Sequence, residues 1–499
     1  MVMAAMLPMM YKPDIKTAAV IGFGSGLSTA TVLASPVVRR VDSIEIEPAM
    51  VDGARAFLPR VERAYEDPRS RIIIDDAKSY FARSGEKYDL ILSEPSNPWV
   101  SGTASLFTEE FYRRIRRSLT ADGIFVQWVQ FYEFDSRLVA SIVNAMNPVF
   151  EDYVVYTTGA DLLFVARAEG KLPNPSRKLF DFPLLAEEGR RLGLTTLSDI
   201  NLYRFAGRAL LKSALFFEAA PANSDYEPFV EVNAPRARFR NEFAKIVTEI
   251  KTDIVPIAAY FDRPPVLDDP LTRPPNGAPD IAFRSFQTVR FLELALAGKH
   301  SSAEPDGPLL SRSLVGSFQT VLVDCAQPST ARGLWPFVIE LSSAVNITQG
   351  PALLDRFWAS AANSRCLSSM PARYREWIAL FRAIGNRDAE QTARLATALL
   401  ESGPAPDEVE YLFMAALTGT IARGELTDAR ALVARWLPQL SPQRQSQPAF
   451  RLLRHISGID VDMSNGGDLI QFPVMHGDDG LSAAGDTPSN ATAPSAAPR

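Results

Sequence analysis

Cysteine and histidine are the scarcest reactive residues in this chain. Its 499 residues include two cysteines, Cys325 and Cys366, and three histidines, His300, His455 and His476. With no Cys/His cluster, neither a disulfide framework nor a zinc site is expected, no metal is expected, and a reducing, cytoplasmic setting fits. All three histidines fall in the second half, so histidine is a poor candidate for a catalytic base near the N-terminus. A strong charge of one sign is also missing: the net charge of −6 argues against nucleic acid as a partner. Between Lys16 and Arg39 no residue is charged, but three glycines, several Ser/Thr and Pro36 interrupt any membrane-span reading of that stretch. Met1–Met10 is apolar, yet it lacks the charged start and cleavage site of a secretory signal and reads as part of a helix.

What is present is a globular composition, 46% hydrophobic and 22% charged, in a chain long enough for two or three domains. The strongest local signal is Ala18-Ala19-Val20-Ile21-Gly22-Phe23-Gly24-Ser25-Gly26-Leu27-Ser28: a short apolar strand, a loop with glycine at alternate positions, then a helical pattern. Such a loop lets the backbone close tightly beneath a nucleoside. A second strand, Val41–Ile46, carries Glu45 nineteen positions after Gly26. That is about the ~20-residue interval at which a carboxylate meets ribose hydroxyls. A third strand, Arg71–Ile74, ends in Asp75-Asp76, and a fourth, Tyr88–Leu92, ends in Ser93-Glu94-Pro95-Ser96-Asn97-Pro98-Trp99. Met50–Leu58 reads as a helix with Val51, Ala54 and Phe57 on one side. Phe107–Leu119 is helical with an exposed arginine run, Ile124–Val129 is a fifth strand, and Tyr153–Tyr156 with Leu162–Ala166 forms an antiparallel pair.

Alternating strands and helices predict an α/β, Rossmann-like doubly wound sheet, in which ligands sit beyond the carboxyl ends of the strands. Four polar clusters then share one rim. The expected organisation is a nucleoside-binding domain over 1–170, its extension over 171–262, a Pro-rich linker over 263–282, an all-α domain over 283–460 and a disordered tail over 461–499. Within the all-α part, Arg373–Ile384 with Ala389–Glu401, and Val409–Arg423 with Thr427–Leu437, form two helix pairs spaced by 39 or 40 residues. They resemble tetratricopeptide-type repeats, although the usual period is ~34. Trp358, Trp377 and Trp436 read as core.

The glycine loop, Glu45-Ile46-Glu47, Asp75-Asp76, Glu94-Pro95-Ser96-Asn97-Pro98 and Ser105-Leu106-Phe107 resemble those of spermidine synthases, the polyamine aminopropyltransferases. Ser93–Phe107, Asn223–Pro228 and Ala234–Arg236 are closest to a bacterial branch whose synthase-like domain follows a multi-span membrane region. The resemblance covers about residues 5–240. It implies that a β-rich piece or a membrane region would precede the domain, with Met1–Met10 as its tail, and hence a membrane-associated variant of the cytoplasmic assignment. It also implies an S-adenosylmethionine-dependent transferase fold with decarboxylated S-adenosylmethionine or S-adenosylmethionine as co-substrate. Gly22, Gly24 and Gly26 would line the sulfonium nucleoside, Glu45 would take the ribose hydroxyls, and Asp76 would hold the adenine amino group with Ala77 beside it. Glu94 and Asn97 would face a small-molecule amine. A homodimer, and a protein partner for the helical half, are candidate assemblies.

Two positions depart from the family pattern. Ser25 stands where the glycine loop has aspartate, and Asn97 stands at the position of the carboxylate that deprotonates the attacking amine, where it cannot take a proton at neutral pH. Asn97-Pro98-Trp99 partly resembles the Asn/Asp-Pro-Pro-aromatic turn of amino-methyltransferases. A methyltransferase and a non-catalytic ligand-binding scaffold are therefore the alternative readings.

Overall fold

The computed structural model describes residues 1–95, 97–100, 102–245, 254–262, 280–299 and 310–458. The prolines of the expected linker (264–279) and the expected tail lie outside the described residues, and a helix begins at Asp280. Eight strands form one sheet in the order β3-β2-β1-β4-β5-β7-β6-β8. They are β1 (Thr17–Ile21), β2 (Arg40–Glu45), β3 (Ser70–Ile74), β4 (Tyr88–Ser93), β5 (Leu119–Gln130), β6 (Tyr153–Thr158), β7 (Asp161–Arg167) and β8 (Arg204–Gly207). The first five strands run parallel; β7 adds antiparallel to β5, β6 to β7, and β8 to β6. The chain order reverses outward on either side of β1, so the carboxyl ends of β1, β2, β3 and β4 lie side by side.

The central strands are apolar on both sides because both faces of the sheet are covered. On one face α1 (Val2–Tyr11), whose ten residues are all buried, packs with α2 (Leu27–Val32) over Val20, Leu92, Val126 and Leu163. Each fully buried Leu or Met there contributes about 1.5–3 kcal/mol, so α1 is part of the core and its N-terminus lies at the carboxyl edge of the sheet. On the other face α5 (Glu109–Ser118) and α6 (Ser136–Met146) cover Ile91, Phe125, Val155 and Phe164. In α5 the apolar residues Phe111, Tyr112 and Ile115 face inward, while Arg113, Arg114, Arg116 and Arg117 are exposed, as their spacing implies.

Beyond Asp280 the described chain is helical. Ala372–Gly385, Ala389–Glu401, Val409–Ala422 and Leu426–Trp436 occupy the segments expected from sequence, and Trp358, Trp377 and Trp436 are buried. Gly419 permits close helix approach: a Cβ there would lie 2.6 Å from Ala393 N. The helices meet the α/β part through Tyr260 Oη and Thr392 Oγ1, 2.8 Å apart, and through His455 stacked on Phe216 at 4.1 Å. No helix among the described residues is long and apolar enough to cross a membrane.

Three expectations are corrected. Cys325 and Cys366 form a disulfide, so scarcity of cysteine did not mean absence of a bridge, and the argument from cysteine usage to a reducing compartment loses its support. The helix expected over 50–58 is instead α3 (Pro48–Gly53) followed by a 3-10 turn, Ala54–Phe57; the tighter winding turns Phe57 outward, 55% exposed, while Ala54 stays buried. The short strand β8 carried no periodic signal of its own.

Candidate nucleoside and amine site

The glycine loop takes the shape its sequence predicts. Gly22, Gly24 and Gly26 have φ of +85°, +50° and +79°, in the left-handed region that side chains disfavour. Gly22 N–H donates to Ile44 O at 2.9 Å, and a Cβ at Gly22 would lie 2.5 Å from the carbonyl oxygen of Glu94. The loop is thereby threaded between the tips of β2 and β4.

Glu45, at the end of β2, is buried. Its Oε2 accepts Phe23 N–H at 2.8 Å and its Oε1 accepts Glu47 N–H at 3.0 Å, so the carboxylate fastens the glycine loop to its own strand tip. With about four lone-pair positions it retains acceptor capacity for hydroxyls. Glu45 O accepts Asp75 N–H at 3.0 Å, which brings the tip of β3 alongside. Asp75 pairs with Arg83, and Asp75 Oδ1 accepts Asp76 N–H at 2.9 Å. Asp76 caps α4 (Ala77–Arg83), with Oδ1 accepting Ser79 N–H at 2.8 Å; Ala77 is buried in the first turn. Beside these acids Ile46 is 68% exposed and Ile74 50% exposed. Apolar surface at a polar rim suits the face of an aromatic base.

Glu94 follows β4 and turns toward α1 and α2. Its side chain is 8% exposed, its Oε2 accepts the Ser28 hydroxyl, and its Oε1 lies 3.8 Å from the Met1 amino group. Burial pushes its carboxyl above the usual range, opposed by the Met1 charge and the Ser28 hydrogen bond and reinforced by Asp161. The Ser25 hydroxyl donates to the Met1 sulfur at 3.1 Å, so the first residue of the chain lies over the glycine loop. Asn97 closes a turn, its carbonyl accepting Val100 N–H at 2.9 Å, and Trp99 packs on the core with the Arg238 guanidinium 4.7 Å from its ring centre. Gly22, Gly24, Gly26, Glu45, Asp76, Ala77 and Glu94 thus lie along one sheet edge, with Asn97 on the loop that continues it.

Sequence reading missed the residues on the far side of Glu94. Asp161 opens β7 directly opposite Gln130 at the end of β5. Because β7 runs antiparallel, it starts at the rim where β5 ends, so the residue just after the hairpin turn was the recoverable signal. Burial raises the Asp161 carboxyl, opposed by a hydrogen bond with Trp128 and by the Met1 charge. Buried polar atoms without a protein partner cluster nearby: Ser93 Oγ, Gln127 Oε1 and Gln130 Oε1.

Fold and site together define a Rossmann-like α/β domain with a carboxylate-lined edge. Residues 2–160 match the family model of the spermine/spermidine synthase domain. The chain is 31% identical over 156 residues to the polyamine aminopropyltransferase of Moorella thermoacetica, covering 31% of this chain and 55% of that protein. It is 32% identical over 154 residues to that of Pyrobaculum calidifontis, covering 29% and 53%. The chain therefore spans about half the length of the curated relatives it matches. Among solved structures, spermidine synthase in complex with the transition state analogue AdoDATO aligns over 38% of this chain and 74% of its own, at 22% identity and TM-score 0.31. Human methyltransferase-like protein 13 in complex with SAH aligns over 38% and 89%, at 18% identity and TM-score 0.30.

Proposed function

We propose that the α/β part binds a sulfonium nucleoside of the S-adenosyl type and transfers an aminopropyl group from decarboxylated S-adenosylmethionine to a small amine. The observation that carries this reading is the adjacency of four strand tips, bearing Gly22–Gly26, Glu45, Asp75/Asp76 and Glu94, within the segment that matches the synthase domain. The residues present fit such a ligand: a glycine loop too close to Glu94 O for any side chain, a carboxylate at the ribose position, and exposed Ile46 and Ile74 for the base. Gly22, Gly24 and Gly26 would line the nucleoside, Glu45 would accept the ribose hydroxyls, and Asp76 with Ala77 would meet the adenine edge.

In the proposed transfer the lone pair of a neutral amine forms a C–N bond to the propyl carbon beside the sulfonium. The C–S bond breaks, its electrons return to sulfur, and the new ammonium gives up one proton. Glu94 suits that last step, because a buried carboxylate with a raised pKa holds a proton more readily than an exposed one. The helical half, read as tetratricopeptide-type pairs, is proposed as a partner-binding appendage.

Asn97 favours a second reading, methyl transfer from S-adenosylmethionine, where orienting the amine matters more than a strong base. Arg238 over the Trp99 ring weakens it, since that ring already carries a cation on one face. Incubation with each sulfonium donor and a panel of diamines, followed by mass analysis of the amine, separates the two. Added aminopropyl mass supports the first reading and added methyl mass the second; an unchanged amine with both donors counts against both.

A further inference from the structure

We propose that Asp161, Gln130 and Trp128 form an anchoring pocket for the second ammonium of the amine substrate, on the opposite side of Glu94 from the nucleoside. This deepens the reading above and rests on it. Gln130 and Asp161 are direct cross-strand partners on β5 and β7, so their side chains leave the sheet on the same face. That face is the one covered by α1, against which Trp128 also packs. Glu94 reaches the same face from β4, through its contacts with Ser28 and Met1.

Three features make this corner a ligand site and not simply two neighbouring acids. Gln130 is fully buried, yet its Oε1 has no partner; its Nε2 is directed to Tyr132 O at 3.4 Å. A buried amide oxygen without a donor costs about 1–3 kcal/mol unless something supplies one. Asp161 receives one hydrogen bond, from Trp128, which leaves most of its acceptor positions open. Third, Glu94 and Asp161 act on each other electrostatically, and the Met1 amino charge acts on both. A primary ammonium brings three N–H donors and one positive charge. Those donors match Asp161, Gln130 Oε1 and Glu94 in number and sign. The ligand class is therefore an alkyl diamine or triamine, bound at one end by Glu94 and at the other by Asp161.

The test uses titration calorimetry on the full chain with 1,4-diaminobutane and 1-aminobutane, each with and without saturating methylthioadenosine. The wild type is compared with Asp161→Asn and with an exposed control, Glu151→Gln. The expected result is diamine affinity at least tenfold weaker in D161N, close to that of the monoamine for the wild type, with methylthioadenosine affinity unchanged. Equal binding of diamine and monoamine by the wild type would overturn the pocket without recourse to any variant. So would unaltered diamine affinity in D161N. Failure of methylthioadenosine to bind wild type would count against the nucleoside reading alone, since the amine titrations are read separately.

Discussion

Replacing Gly22 with alanine tests whether the glycine loop is held as tightly as its geometry indicates. Two costs add at that position. A residue with a Cβ at φ +85° is strained by about 1–2 kcal/mol. The new Cβ would also stand 2.5 Å from the backbone oxygen of Glu94, an atom that cannot swing aside, and such overpacking costs about 1–3 kcal/mol. The expected loss is thus about 2–5 kcal/mol, or about 4–20 °C in midpoint at ~2–4 °C per kcal/mol. Gly24 gives the contrast within the loop: its Cβ would meet only the flexible end of Met1 at 3.1 Å, so its alanine variant should lose less. Gly53 is the control, with helical φ and nothing within 4 Å, and alanine there should be neutral or stabilise by about 0.4–1 kcal/mol. Thermal unfolding followed by circular dichroism gives the ranking. A G22A midpoint no lower than that of G53A would refute the threading of this loop between β2 and β4.

Three further outcomes follow from the buried charges and the bridge. Because burial raises the Glu94 carboxyl, the folded state binds more protons than the unfolded state above the ordinary carboxylate pKa, and stability falls as pH rises from there toward the raised value. Glu94→Gln should remove that fall, so denaturant midpoints of variant and wild type diverge in the variant's favour between pH 4 and 7; parallel profiles would contradict it. Asp262 pairs with buried Arg204 and accepts Gly207 N–H at 2.8 Å, so Asp262→Ala should cost about 3–5 kcal/mol in urea unfolding and Asp262→Asn less. The Cys325–Cys366 bridge spans 41 positions, and the C325S/C366S pair should lower stability by about 2–4 kcal/mol, with no further loss when reductant is added.

Much of the α/β half was legible because its signals are local. Glycines at alternate positions can only be a turn with positive φ, and continuous apolar runs such as Leu90–Leu92 mark strands buried on both sides. Acids at strand ends fall on one rim once the strands are parallel. What was not legible depends on pairing at a distance. Asp161 becomes a site residue only through the antiparallel register that sets it opposite Gln130. Glu45 was read as a ribose ligand, and its second task, holding Phe23 N–H and Glu47 N–H, needed coordinates. Phe57 was placed inward by a 3.6-residue period that the 3-10 turn breaks. Nothing in the spacing of two cysteines 41 positions apart reveals whether they meet.

The central claim is that the tips of β1, β2, β3 and β4 cradle an adenosine attached to sulfur. Calorimetric titration of the full chain with methylthioadenosine and decarboxylated S-adenosylmethionine measures this most directly. The account predicts saturable one-to-one binding of both, lost together in G22A and weakened in Glu45→Gln. Absence of heat and of competition at millimolar ligand, with the wild-type chain folded, would contradict it.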